Sequence, residues 1–258
     1  MPLNDDVIAV FKGATAIDRI FQGTNLVFGP PLYSANPVNF DGTNDYLTRG
    51  GGLTGAADSK LFTGSIWARR ASASGVWETV SMLTNGGINI FYFTDNSFLI
   101  TAANAAAELI LNIGTSVIND TDWHHFMWSV DLVDTGKRHL YVDGVSDLLV
   151  FTYTNDTIDF TTADCFVGAD EFAGTKMAAD VADLQMWDGV YVDLSVAANR
   201  RLFIQHGRPV NPATAAASLG SPIILLSDAT NTWHTNDGSG GGFTENGALT
   251  DGTGPVEI

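Results

Sequence analysis

The chain has 258 residues, 45% of them hydrophobic and 16% charged, with a formal net charge of −17. That length holds one large β-domain or two small ones around a substantial core. The acidity argues against a nucleic-acid binder, which needs a basic footprint, and against adsorption to anionic membranes. Of the 29 acidic residues, 24 are aspartate and five are glutamate. Aspartate suits turns and strand ends, whereas glutamate suits helices, so the imbalance favours a loop-rich β protein. The single cysteine, Cys165, leaves no intrachain disulfide to staple the fold.

Residues 1–32 read as a separate small unit. The stretch VIAVFKGATAIDRIFQGTNLVFGPP holds short apolar runs broken at Lys12-Gly13 and Gly23-Thr24 and closed by Pro30-Pro31. So few residues cannot enclose a core. The apolar Phe11, Ile20, Phe21, Val27 and Phe28 are therefore expected to dock on the main domain, a neighbouring subunit or a partner. The opening MPLNDDV has neither the basic nor the apolar region of a secretory leader, so synthesis in the cytosol is expected. The longest apolar runs, such as 222–226, are too short to span a bilayer.

Residues 33–258 form the main domain. Alternating patterns predict strands at 38–40, 45–48, 64–70, 77–83, 88–93, 97–102 and 108–113, with turns at Asp41-Gly42, Asn85-Gly86 and Asp95-Asn96. Next comes DWHHFMWSVD at 122–131. Trp123, His125, Met127 and Ser129 share one parity; His124, Phe126, Trp128 and Val130 share the other. Large side chains on both faces predict a strand covered on both sides. A second strand, 139–142, ends in Asp143-Gly144, a strong short-range hairpin signal. Further strands are expected at 148–153, 165–167 and 180–187. So many short strands imply a sandwich or jelly roll. Asp193 and Ser195 as caps, with Gly207 and Pro209 as stops, predict one helix over 196–205 with Arg200 and Arg201 exposed. In the tail, SLGSPIILLSD (218–228) predicts one buried strand, TNDGSGGGF a flexible loop and TENGALTDG a last hairpin.

Trp-His-His followed by Leu-Tyr-Val-Asp-Gly resembles the centre of the concanavalin A-like, or laminin-G-like, jelly roll. VNFDGTNDYLT (38–48) is similar to that family's opening strands, and VGADEFAGTKMAADVADLQMWDGV (167–190) to its closing ones. The resemblance implies an all-β jelly-roll sandwich, with a short helix after the last sandwich strand. That fold hosts lectins, glycosidases, adhesion modules and structural proteins, so function must come from the site. Short strands ending in Leu-Val-Phe before the next domain resemble the N-terminal segments of phage tail and virion proteins.

Glycosidases on this fold place catalytic carboxylates close together on one strand. Glu78, Glu108, Glu171, Glu245 and Glu257 are scattered, so no such pair is evident. His124 and His125 face opposite ways in a strand and cannot share a metal, and no HExxH spacing exists. Cys165 reads as a small buried residue. Related jelly rolls bind calcium through rim loops, and Asp41, Asn44 and Asp45 in one turn, with Asp170 in another, supply oxygens of that kind. The same residues equally suit Asx-turns. For stacking on sugars, Trp77, Tyr191 and Trp233 are the candidates, Trp233 being expected to be exposed in a polar loop; Trp67, Trp123, Trp128 and Trp187 are expected in the core.

The expectation is a phage or phage-like virion appendage protein, made in the host cytoplasm without a signal peptide. It would attach to other virion proteins through residues 1–32 and display the jelly roll to host-surface polysaccharide. Binding rather than hydrolysis is expected, as is a homo-oligomer, most simply a trimer. The alternative is a capsid-decoration or tail-assembly protein without glycan binding; a weaker one is a glycan hydrolase.

Overall fold

Alternation in the sequence becomes strand pairing, and among the described residues every pairing of named strands is antiparallel. The computed structural model describes residues 10–12, 15–17, 20–22, 25–28, 33–72, 77–81, 87–92, 96–104, 107–170 and 172–255, those up to 28 and 77–81, 91–92 and 151 through the backbone alone. The chain divides into two units, Met1–Tyr33 and Ser34–Ile258. In the first, β1 (Val10–Lys12) pairs with β2 (Thr15–Ile17), and β3 (Ile20–Gln22) pairs with β4 (Asn25–Phe28). Phe11, Ile20, Phe21, Val27 and Phe28 belong to these strands; their side chains lie outside the described residues.

The second unit opens with β5 (Val38–Asp41), β6 (Tyr46–Gly50), β7 (Leu61–Arg70), β8 (Trp77–Ser81), β9 (Gly87–Tyr92), β10 (Phe98–Ala103) and β11 (Glu108–Gly114). The central pair is β12 (His124–Asp131) and β13 (Arg138–Val142). β14 (Val145–Ser146), β15 (Leu148–Tyr153), β16 (Asp164–Val167) and β17 (Ala178–Asp188) follow. The remainder holds α1 (Ala197–Arg200), β18 (Ile204–Gln205), β19 (Arg208–Pro209), α2 (Ala213–Leu219) and β20 (Ile224–Leu226). It ends with a 3-10 helix (Thr230–Thr235), β21 (Thr244–Asn246) and β22 (Thr250–Asp251). One sheet runs β15-β11-β10-β9-β8-β16-β6-β21; the other runs β14-β13-β12-β7-β17-β5-β22, with β20 also on β17.

The sheets meet across an apolar core. Ile90, Phe98, Ile100 and Ile110 from one sheet join Phe62, Ile66, Phe126, Trp128 and Val130 from the other. Phe98 stacks on Phe126 with ring centroids 4.5 Å apart. This is the all-β sandwich read from the alternation, and removing one such aromatic costs about 3–5 kcal/mol.

The opposite parity of β12 explains the double-faced motif. His125, Met127 and Ser129 point away from the core yet are fully buried. The chain from 190 to 220 covers them. Ser129 Oγ accepts a hydrogen bond from Val192 N (2.8 Å), Thr63 Oγ1 donates to Val190 O (2.8 Å), and Trp187 Nε1 donates to Gly220 O (2.8 Å). Phe203 meets Trp187 edge-on. His125, Met127 and Ser129 are thus the floor of a second, outer layer.

This layer corrects the helix expected over 196–205. α1 ends at Arg200, and a turn then carries Phe203 inward onto Trp187. Gly207 and Pro209, expected as helix stops, instead belong to the β18–β19 hairpin, whose φ-positive turn is His206-Gly207 (55° and 68°). Gain of core contact by Phe203 outweighs further helix, which is marginal at this length in any case. Arg201 is exposed as expected, but Arg200 is half-buried. α2, which was not expected, has recognisable local signals: Asn211 Oδ1 accepts from Ala213 N (2.9 Å), Pro212 precedes the helix, and Gly220 with φ 89° ends it.

The tail is corrected in two places. TNDGSGGGF is tied down rather than loose: the Asn236 side chain bonds Leu225 N, Gly238 N, Ile223 O and Gly241 O. A Cβ on Gly238 or Gly240 would lie 2.7 Å or 2.5 Å from a backbone carbonyl oxygen, so these glycines allow a close backbone approach. TENGALTDG is not a hairpin. β21 pairs with β6 in one sheet and β22 with β5 in the other, so this segment bridges the edges of both. Asp45 directs the divergence, its Oδ1 accepting from Ala248 N (2.9 Å) beside Gly247.

Candidate functional site

Two tight turns face each other at one margin of the outer layer. Asp143-Gly144 joins β13 to β14 with φ of 50° and 77°; His206-Gly207 joins β18 to β19. Positive φ at both central residues makes each turn compact, and α1 stands beside them. Together they line a cleft of about 260 Å³ whose walls include Ala197, Arg200, Arg201, Ile204 and Gln205.

The Asp143 wall is rigid. Asp143 Oδ1 accepts from His125 N (2.8 Å), its own N–H donates to His125 O (2.8 Å), and Oδ2 lies 2.7 Å from His124 Nδ1. On its other side, His124 Nε2 lies 3.0 Å from Asp120 Oδ1. Burial would lower the pKa of His124, but hydrogen bonds to Asp143 and Asp120 outweigh it and raise the value to about 9. The imidazole is therefore cationic at neutral pH, and it balances the charge of Asp143. His125 behaves oppositely. Its fully buried ring packs on Trp67 (4.8 Å) with Nε2 3.3 Å from Ser65 Oγ, and burial pushes its pKa down to about 3. The adjacent histidines thus do face opposite ways, one ionised at a turn and one neutral under the outer layer.

The opposite wall is basic. Arg200 is fixed by hydrogen bonds from one guanidinium nitrogen to Leu194 O (2.7 Å) and Ser195 O (3.0 Å), with its central carbon 5.1 Å from the centroid of Tyr141. Arg201 and His206 are exposed and have no side-chain hydrogen bond or ion pair among the described residues. Arginine forks and an imidazole on rigid turns can grip oxygen-rich ligands.

The residues singled out from sequence lie elsewhere. Trp233 is corrected outright: it is 0% exposed, in the 3-10 helix, meeting Phe40 edge-on at 5.9 Å. The polar neighbours that suggested a loop are the solvent side of that helix. Trp77 is in β8, its side chain outside the described residues. Tyr191 is half-buried, its hydroxyl 2.8 Å from His139 Nε2 and its ring 5.4 Å from the Lys137 ammonium. It does not line the cleft. Cys165 is buried, and burial pushes its thiol up to about 12, the reverse of a nucleophile's shift.

The calcium candidates are engaged with their own backbone. Asp41 Oδ1 accepts from Thr43 N (2.7 Å), Asn44 N (3.0 Å) and Asp45 N (3.3 Å), which holds its carboxyl below the usual range. Asp45, only 4% exposed, accepts from Asp41 N and Ala248 N. Asp170 accepts from Phe172 N, Gly174 N and Thr175 N. Asn44 completes the turn with its backbone. Among the described residues no three His, Cys, Asp or Glu side chains gather closely enough to hold a metal ion. Likewise, no described helix is long and apolar enough to cross a membrane.

The two packed antiparallel sheets define an all-β jelly-roll sandwich. The family described as the concanavalin A-like lectin/glucanases superfamily, in its laminin-G form, matches residues 41–197, more than half of the chain, and the chain belongs to it. No curated protein sequence matches significantly. Among solved structures it is similar to a candidate carbohydrate-binding protein from Bacteroides ovatus, with a TM-score of 0.63 at 14% identity over 92% of this chain and 67% of that one. It is also similar to the native heptameric SAP-like pentraxin from Limulus polyphemus, with a TM-score of 0.54 at 14% identity over 85% of this chain and 95% of that one. At such identity these likenesses speak for the fold alone.

Proposed function

We propose that the protein is a carbohydrate-binding jelly roll displayed on a phage or phage-like particle, and that it binds host-surface glycan without cleaving it. One observation carries the binding reading. The cleft between the two hairpin turns presents Arg201 and His206 with no protein partner among the described residues, while Asp41 and Asp170 are engaged by the backbone of their own loops. The superfamily and the carbohydrate-binding description of the Bacteroides ovatus neighbour agree with it. Binding rather than hydrolysis is favoured because among the described residues the cleft lining holds a single carboxylate, Asp143, already engaged by His124 and His125. Glycan hydrolysis of the usual kind needs two carboxyl groups flanking the scissile bond.

The virion role rests on the first unit, whose paired short strands form a body distinct from the sandwich. Residues 1–32 anchor the chain to other virion proteins, and a homo-oligomer, taken as a trimer, raises a weak single-site affinity by multivalency. A purely structural role on the particle is the second reading, favoured by Phe172, 84% exposed at a loop tip. An array of microbial surface polysaccharides probed with the full chain separates them. Retention of at least one polysaccharide supports the glycan reading, and uniform silence supports the structural one. Deletion of residues 1–32 is expected to abolish incorporation into particles.

A further inference from the structure

We propose that the cleft between the Asp143-Gly144 and His206-Gly207 turns takes a single carboxylate-bearing sugar, a uronate or a keto-sugar acid, gripped by Arg201 and Arg200. The inference rests on the glycan reading and adds the ligand's charge and size.

The first support is local charge. The chain carries 12 Lys and Arg against 29 Asp and Glu, yet two adjacent arginines line this one cleft. Among the described residues the one carboxylate in the lining, Asp143, is balanced by His124, and Asp120 shares that same imidazole. Arg200, Arg201 and His124 against Asp143 and Asp120 leave a balance of one positive charge. A monoanion matches it. The surrounding −17 field repels anions at long range, so an anionic ligand is held only where short-range contact overcomes it, which favours recognition at this point over diffuse binding.

The second support is geometry. Arg200 has one guanidinium nitrogen held by Leu194 O and Ser195 O and lies over the Tyr141 ring, so its remaining donors are oriented before a ligand arrives. Arg201 has its whole fork free among the described residues. A carboxylate accepts such a fork through two parallel hydrogen bonds. A neutral sugar leaves these donors to water and forfeits the charge-assisted bonds. The third support is size. At about 260 Å³ the cleft lies below the roughly 300–1,000 Å³ of sites for drug-sized ligands, which limits it to about one sugar ring. Ala197 and Ile204 give that ring an apolar wall.

The test is calorimetric titration of the full chain with five oligosaccharides: uronate-terminated, keto-sugar-acid-terminated, the carboxyl-reduced form of each, and a sulfated one. Binding of one carboxylated sugar, at least tenfold weaker after carboxyl reduction, is expected, and the first two arms tell the two sources apart. Arg201→Ala is expected to weaken it at least tenfold, with Arg201→Lys recovering only part, while the melting temperature stays unchanged. Equal binding of the reduced forms overturns the inference and leaves the glycan reading intact. So does preference for the sulfated sugar. Carboxylate-dependent binding that Arg201→Ala and Arg200→Ala both leave unchanged overturns the assignment to this cleft. Silence in all five, joined to silence of the polysaccharide array, overturns both readings.

Discussion

The Asp41–Asp45 turn with the Asp170 loop and the cleft at Asp143 are both made of short loops rich in polar residues, yet they do opposite things. In the first region each carboxylate accepts backbone N–H groups: three of its own loop at Asp41, three of its own loop at Asp170, and at Asp45 one from Asp41 and one from Ala248 in the C-terminal segment. These groups hold the chain's shape and have little left for a ligand. In the second, one aspartate is used to fix a wall, while neighbouring donors on Arg201 and His206 stay open. Polar residue count alone therefore misleads. What marks a binding surface is hydrogen-bonding capacity that folding leaves unused.

Perturbations should separate the two regions, and the largest effect belongs to the side that holds the chain together. Trp233→Ala removes a ring packed against Phe40 and should cost about 3–5 kcal/mol, read from denaturant unfolding, with sugar affinity of the folded fraction unchanged. A loss of affinity without loss of stability would return Trp233 to the binding surface.

Second comes pH. His124 has a folded pKa near 9, above its ordinary 6.5, so its support is complete below pH 6.5 and disappears as pH rises through 9. The amount is up to about 3 kcal/mol. His125, near 3 when folded, acts with the opposite sign: its support is present above pH 6.5 and is lost as pH falls towards 3. The contribution of the pair therefore peaks near pH 6.5. Unfolding in urea at pH 6.5 and 9.5 should show a steep alkaline loss in the parent chain and a shallow one in His124→Gln. Equal slopes would refute the ion-pair account of this wall.

Asp45→Ala comes third. It strands two backbone donors at a buried site and should cost about 2 kcal/mol; thermal melting reads this, and binding should not change. Smallest in stability is Arg201→Ala, expected within about 0.5 kcal/mol of the parent because the side chain touches nothing that folding needs. A large melting shift there would mean that the cleft is a packing surface.

Much of the sandwich is legible in the sequence. Strand parity is local, and β10, β12, β13, β15, β16 and β17 fall within a residue or two of the alternating runs. Asp143-Gly144 announces its turn because few residue pairs tolerate positive φ twice. His206-Gly207 makes the same kind of turn, but in the sequence Gly207 with Pro209 equally suits a helix stop, since a glycine after an Ala-rich stretch fits either end. α2 has its marks in Asn211, Pro212 and Gly220, though its short Ala-rich run lacks an amphipathic pattern. For the site, His124 and the two arginines stand apart in the sequence, with nothing local to join them.

By itself, the sequence determined the β class, the register of the double-faced strand and the opposite directions of His124 and His125, because each follows from alternation along one strand. Only the tertiary structure decided that Trp233 is buried, that the last segment joins the two sheets rather than itself, and that turns at 143–144 and 206–207 share a cleft. Those outcomes depend on which distant surfaces meet, and on which polar groups the meeting leaves unused.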